Sequence, residues 1–188
     1  MSDLKTTYHT ELKKQLGEKL GIKNIMAIPK LVKIVVNIGL GEALADKKVI
    51  ETMSKQIATI TGQKPLVTHA KRDISTFKLR KGDAVGLKVT LRGDHMYSFF
   101  EKIAKIVLPR FRDFQGISRD SFDGKGNYTL GFSEQIVFPE IDYSSIDKIR
   151  GLEVTFVTSG KNKKETFALL ESMGLPFKKE VKEIKNRK

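Results

Sequence analysis

Apolar residues recur along the chain with two different periods, and the changes of period mark out its elements. From Met1 to Gly21, Leu4, Tyr8, Leu12, Leu16 and Leu20 follow at four-residue steps, the stripe of an amphipathic helix. Over Leu31 to Ile38 the period drops to two. Val32, Ile34, Val36 and Ile38 alternate there with Lys33, Val35 and Asn37, which predicts a strand with one apolar and one mixed face. After Gly39-Leu40-Gly41, Asp46 is placed to cap a helix running to about Thr61; Val49, Met53, Ile57 and Ile60 form its stripe and Gly62 its stop. Pro65 to Lys71 reads as a short strand. Val85 to Arg92 alternates most regularly, with Val85, Leu87, Val89 and Leu91 inward and Gly86, Lys88, Thr90 and Arg92 outward.

Helical spacing returns after Gly93-Asp94, where Met96, Phe99, Phe100, Ile103 and Val107 share a face that Pro109 is expected to end. An irregular stretch over 108–128 follows, with the turn-prone Asp123-Gly124-Lys125-Gly126-Asn127 near its end. Tyr128 to Phe138 and Leu152 to Thr158 read as strands, and Ser144 to Arg150 as a helical turn. Asn162 with Glu165 makes a capping-box-like start for a last helix ending at Gly174, before a Lys-rich tail over 178–188. This order lacks strict βαβ alternation, so the expected fold is α+β, in one compact domain spanning 1–188. If the helices cover one sheet face, the other collects Lys33, Asn37, Lys88, Thr90 and Arg92.

Charge gives that bare face a meaning. The chain carries 35 Lys plus Arg against 22 Asp plus Glu, a net +13, which points to a polyanionic partner. The excess is concentrated in Lys71 to Arg92, where Lys71, Arg72, Lys78, Arg80, Lys81, Lys88 and Arg92 face only Asp73 and Asp83, with Phe77 among them. Clustered cations bind phosphates by releasing counterions, and an embedded aromatic can stack on an exposed base. Few self-packing groups lie in the 71–83 loop, so it is expected to be mobile in the free protein. Ser133 to Asp147 is the opposite case, holding Glu134, Glu140, Asp142 and Asp147 without a Lys or Arg. RNA should avoid it.

Several other chemistries are disfavoured. Cys is absent, so disulfides, thiolate metal sites and Cys nucleophiles are excluded together. His9, His69 and His95 stand on separate elements without metal-ligand spacing. Gly39-Leu40-Gly41 lacks the third small residue of a dinucleotide loop, because Leu44 stands there. Gly160-Lys161 is followed by Asn162 where a P-loop needs Ser or Thr, and Gly131-Phe132-Ser133 is not a nucleophile elbow. No cofactor is expected. The N-terminal stripe lacks the apolar core of a signal peptide, and no apolar run approaches the ~20 residues of a membrane span. An intracellular protein that avoids membranes is therefore expected. A scattered active site, as in an RNA-modifying enzyme, and a membrane-surface role for Met1 to Gly21 remain as rival readings.

The residues also resemble one family. Val36-Asn37-Ile38-Gly39-Leu40-Gly41-Glu42-Ala43, Gly62-Gln63-Lys64-Pro65, Ala70-Lys71-Arg72-Asp73-Ile74-Ser75 and Leu108-Pro109-Arg110-Phe111-Arg112-Asp113-Phe114 are similar, in order and interval, to ribosomal protein five of the large subunit. Gly126-Asn127-Tyr128, Gly131-Phe132-Ser133-Glu134-Gln135 and Phe138-Pro139-Glu140-Ile141 extend the likeness over essentially the whole chain, in its bacterial or organellar form. The resemblance implies a non-catalytic protein with a mainly antiparallel sheet, helices on one face and long basic loops. It also implies binding of 5S rRNA in the central protuberance, beside 23S-type rRNA and other proteins of that region. Lys33, Asn37, Gln63, Lys88, Thr90 and Arg92 would serve 5S RNA, with Asn37, Gln63 and Thr90 at hydrogen-bonding positions. Lys71, Arg72, Phe77, Lys78, Arg80 and Lys81 would meet P-site tRNA. Glu134, Glu140, Asp142 and Tyr143 would meet small-subunit protein thirteen across a subunit bridge.

Overall fold

The computed structural model describes residues 3–111, 114–142 and 146–178. Its centre is a five-stranded, wholly antiparallel sheet in the order β2-β3-β1-β5-β4, built from β1 (Leu31–Gly39), β2 (Leu66–His69), β3 (Ala84–Leu91), β4 (Tyr128–Phe132) and β5 (Leu152–Thr158). Period-two patterning sends Ile34, Val36, Ile38, Leu87, Val89, Leu91, Val154 and Phe156 into one core, each at most 2% exposed.

Helices cover that apolar face alone. The N-terminal helix α1 (Asp3–Thr7) continues through a π turn, Tyr8–Leu12, into α2 (Lys13–Leu20), and Gly21 ends it in the left-handed conformation at φ +67°. Tyr8 is buried beneath it, donating to the Pro29 carbonyl at 2.9 Å, and burial pushes its hydroxyl pKa up to about 12. Helix α3 (Lys48–Thr61) buries Val49, Met53, Ile57 and Ile60 as the stripe predicts and stops at Gly62, φ +69°. Asp46 accepts from the Lys48 amide at 2.9 Å, one residue outside the cap position proper. Helix α4 (Gly93–Lys102) drives Phe100 onto Phe156 edge-to-face at 5.4 Å. Helix α5 (Lys163–Ser172) is capped by Asn162, whose Oδ1 accepts from the Glu165 amide at 3.0 Å.

Five expectations need correction. Val32 does not join the core stripe: a bulge between Leu31 and Lys33 turns it outward, 36% exposed, and Leu31 takes the inward place. Val85 is likewise only half-buried, because the β2–β3 register shifts beside it. Pro109 does not stop the chain from coiling, since α4 runs on through a π turn, Ile103–Val107, into a 3-10 turn, Leu108–Arg110, whose first turn tolerates proline. The expected strand to Phe138 ends at Phe132 and gives way to a 3-10 turn, Gln135–Val137. Gln135 is fully buried there and its side chain, not its strand edge, makes the connection: Nε2 donates to the Lys148 carbonyl at 2.8 Å and Oε1 accepts from the Arg150 amide. Finally, residues 146–150 are not helical, while Ser144 itself lies outside the described residues, as do Arg112, Asp113, Tyr143 and the tail beyond Lys178.

The described residues 114–128 of the irregular stretch are anchored rather than loose. Asp123 Oδ1 accepts from the amides of Lys125 (2.9 Å) and Asn127 (2.6 Å), Ile117 bridges Phe177, and the Tyr128 hydroxyl donates to the Ser118 carbonyl at 2.8 Å.

Candidate nucleic-acid interface

Because antiparallel partners project to the same side, the register fixes which residues share the helix-free face. One row across the strands is Leu66, Lys88, Asn37, Glu153 and Gly131; the next is Thr90, Val35, Thr155 and Thr129. Lys33 opposes Val157 one row further along, and Arg92 follows directly after β3. Asn37 and Lys88 are exposed, Thr90 and Lys33 half-buried, Arg92 exposed.

These side chains have no work inside the protein. Among the described residues, Lys33, Asn37, Lys88, Thr90, Arg92 and Glu153 form no side-chain hydrogen bond and no ion pair. The exposed Leu66, 70% accessible, sits at the β2 edge of the same face. A surface of unsatisfied donors around a sparse apolar element, with helices all on the reverse, suits a large polar ligand laid flat across the strands.

Gln63 reaches the interface by a different route. Gly62 turns the chain out of α3, and the Thr61 hydroxyl, donating back to the Ile57 carbonyl at 2.7 Å, accepts from the Gln63 amide at 3.3 Å. Gln63 is thus held exposed three residues before Leu66, at the β2 end of the sheet.

The basic loop is a hydrogen-bonded extension of the β2–β3 hairpin. The Ala70 amide donates to the Asp83 carbonyl at 2.8 Å, the Gly82 amide to the Ala70 carbonyl at 3.0 Å, and Ile74 bridges Leu79. Both acids serve the frame: Asp73 Oδ1 accepts from the Lys81 amide (2.6 Å) and Asp83 Oδ2 from the Arg80 amide (2.8 Å). Lys78 adopts the left-handed region at φ +53°, reversing the chain beyond a 3-10 turn, Ser75–Phe77. Lys71, Arg72, Lys78, Arg80 and Lys81 are all exposed and make no ion pair among the described residues, and Phe77 is 70% exposed beside them. A free aromatic ring amid uncompensated cations is the chemistry of base stacking combined with phosphate attraction.

The acidic arm is less bare than its sequence implies. Glu140 Oε1 pairs with Lys102 Nζ at 2.6 Å, and Asp147 with the buried Arg150 guanidinium at 3.0 Å. Arg150 also reaches Glu42 at 3.3 Å, and Lys148 holds the same carboxylate at 2.5 Å. The Lys148 ammonium, seconded by Arg150, holds the Glu42 carboxyl below its usual range, and Arg150 does the same for Asp147. Glu134 and Asp142 are exposed. A cleft of about 650 Å³ opens beside Glu134, lined also by Arg110, Phe111, Val137 and Pro139 among others.

Glu153, Thr155, Thr129 and Leu66 belong to the face but escaped the sequence reading. The period-two pattern of Leu152 to Thr158 marks Glu153 and Thr155 as outward, yet only the strand order makes them neighbours of Asn37 and Val35. Among the described residues no group of three or more His, Asp or Glu is arranged to hold a metal ion, and no helix is long and apolar enough to cross a membrane.

Residues 24–80 match the model described as Ribosomal protein L5, and residues 84–177 match the model for the C-terminus of that ribosomal family. The Large ribosomal subunit protein uL5 of Chloroflexus aurantiacus is 55% identical over 93% of this chain and 97% of its own length. That of Moorella thermoacetica is 52% identical over 95% and 99%.

Proposed function

The chain belongs to the ribosomal protein L5 family, a structural and non-enzymatic component of the large subunit of the cytoplasmic ribosome. From that premise we propose that it binds 5S rRNA through the helix-free sheet face and anchors that RNA in the central protuberance, beside 23S-type rRNA and other proteins there. The observation that carries this reading is the row Lys88, Asn37 and its neighbour Thr90, exposed or half-exposed and without partners among the described residues. Lysine and arginine attract phosphates, while Asn37, Thr90 and Gln63 fix position by hydrogen bonds. Binding of 5S rRNA in preference to an unrelated structured RNA of equal length, weakened by Asn37→Ala, tests it. Equal binding of both RNAs by the wild-type chain would refute it.

Two further contacts belong to separate surfaces. The 71–83 hairpin, with Lys71, Arg72, Phe77, Lys78, Arg80 and Lys81, extends beyond the sheet edge and is assigned to P-site tRNA. Its hydrogen-bonded frame supports a finger of defined shape that presents Phe77 for stacking. The acidic arm, with Glu134, Glu140, Asp142 and Tyr143, is assigned to a subunit bridge with small-subunit protein thirteen. Opposed charge steers such a contact and lets it slide. Since Glu140 is already held by Lys102, the exposed Glu134 carries more of the available charge.

A further inference from the structure

An acid stands in the middle of a face otherwise suited to a polyanion. Glu153 is exposed on β5, with Asn37 of β1 on one side and Gly131 of β4 on the other, and it has no ion-pair or hydrogen-bond partner among the described residues. Toward phosphates it is a liability, since like charges repel across the short distances of a docked complex. Some exposed acids elsewhere are paired with near neighbours, as Asp94 is with Lys5 at 2.7 Å and Glu171 with Lys19 at 2.7 Å, while others, such as Glu134, stand clear of the basic face. Glu153 is left uncompensated although Lys88 lies only two strands away in the same row, about 10 Å at the usual strand spacing.

The surroundings supply what a base would need. Gly131 closes the row without a side chain, and a Cβ there would meet nothing within 4 Å, so a flat notch lies beside the carboxylate. A base resting in the notch would bring its edge to Glu153 while Asn37 and Lys88 continue along the strand-crossing row to sugar and phosphate.

Resting on the RNA-binding reading above, we propose that Glu153 reads the Watson–Crick edge of an unpaired guanine. The choice of base follows from donor geometry. A carboxylate offers two adjacent acceptors, and guanine alone presents two adjacent donors on that edge, N1–H and the N2 amino group. Cytosine and adenine each set one amino donor beside a ring-nitrogen acceptor, which would repel the second carboxylate oxygen. Uracil flanks its single N–H with two carbonyls. The pair also requires the edge to be free of its own base-pairing partner, which places the target in a loop or bulge.

Kethoxal, which adds across N1 and N2 of unpaired guanines, is the probe. The wild-type chain bound to 5S rRNA should shield one such guanine, and replacing that guanosine alone by inosine, which lacks the N2 amino group, should weaken binding about ten- to a hundred-fold. Glu153→Gln should expose the guanine to kethoxal and erase the inosine penalty, with the salt dependence unchanged. Gly131→Leu, a position of ordinary backbone φ with open space above it, should fill the notch and do the same with the melting temperature unaltered. Protection and inosine penalty surviving in both variants, or a wild-type chain indifferent to inosine, would overturn the Glu153 assignment while leaving the 5S reading intact. A wild-type chain without preference for 5S rRNA would overturn both.

Discussion

The division between sheet face and hairpin makes a quantitative prediction about salt. Three cations, Lys33, Lys88 and Arg92, belong to the sheet face, and five, Lys71, Arg72, Lys78, Arg80 and Lys81, to the hairpin. Each phosphate neutralised contributes about 0.7 to 0.9 to the slope of log K against log salt, so 5S binding through the face alone should give a slope of roughly −2 to −3. Raising salt from about 50 to 200 mM would then cost about 20- to 40-fold in affinity, whereas engagement of all eight cations would cost about 2,000- to 20,000-fold. Filter binding of a 5S transcript across that range measures the slope directly. Lys88→Ala should flatten it by somewhat under one, and the double change Arg80→Ala with Lys81→Ala should leave it alone. A slope steeper than about −5 that flattens in the hairpin variant would refute the separation of the two surfaces.

Other outcomes follow from particular residues. Asn37→Ala should weaken 5S binding by about 1 to 3 kcal/mol without lowering the melting temperature, since its amide is unpartnered among the described residues; a matched loss of stability would show a structural role instead. Arg80→Ala with Lys81→Ala should weaken crosslinking to P-site tRNA, and unchanged crosslinks would remove the hairpin from that contact. Reversing Glu134 and Asp142 to Lys should weaken subunit joining most at low salt, where screening is least, and a loss of 5S affinity with joining intact would contradict the bridge assignment. Gln135→Leu should cost about 1 to 3 kcal/mol in urea unfolding, because it strands the buried Arg150 amide and removes one of two donors to the part-buried Lys148 carbonyl. Glu42 and Asp147 carry depressed pKa values, so their contribution is complete above the ordinary carboxylate range and lost as pH falls through the folded values. The stability gap between wild type and a Glu42→Gln, Asp147→Asn variant should therefore hold constant from about pH 8 to 5 and close below about pH 4.

Local pattern determined much of this molecule. Period-two alternation identified β1, β3 and β5 and the outward placement of Asn37, Lys88 and Thr90, because side chains on a pleated strand can go only to one face or the other. Helical spacing located α3 and α4, Gly62 marked the end of α3, and the net +13 pointed to a polyanionic partner. Motif resemblance carried the family. The bulge at Val32 and the early end of β4 were decided elsewhere, the first by pairing with β5 and the second by the hydrogen bonds that Gln135 makes with Lys148 and Arg150.

Strand order and long-range pairing belong to the tertiary structure alone. Alternation says that Glu153 faces outward, but not that β5 lies beside β1, so its place next to Asn37 in the strand-crossing row is invisible in sequence. The same limit applies to charge. Ser133 to Asp147 reads as bare acid along the chain, yet Lys102, on α4, closes on Glu140 because the core brings two distant segments together. Periodicity is set by each residue's own backbone geometry, whereas neighbours across the sheet are set by the burial of the whole apolar face at once.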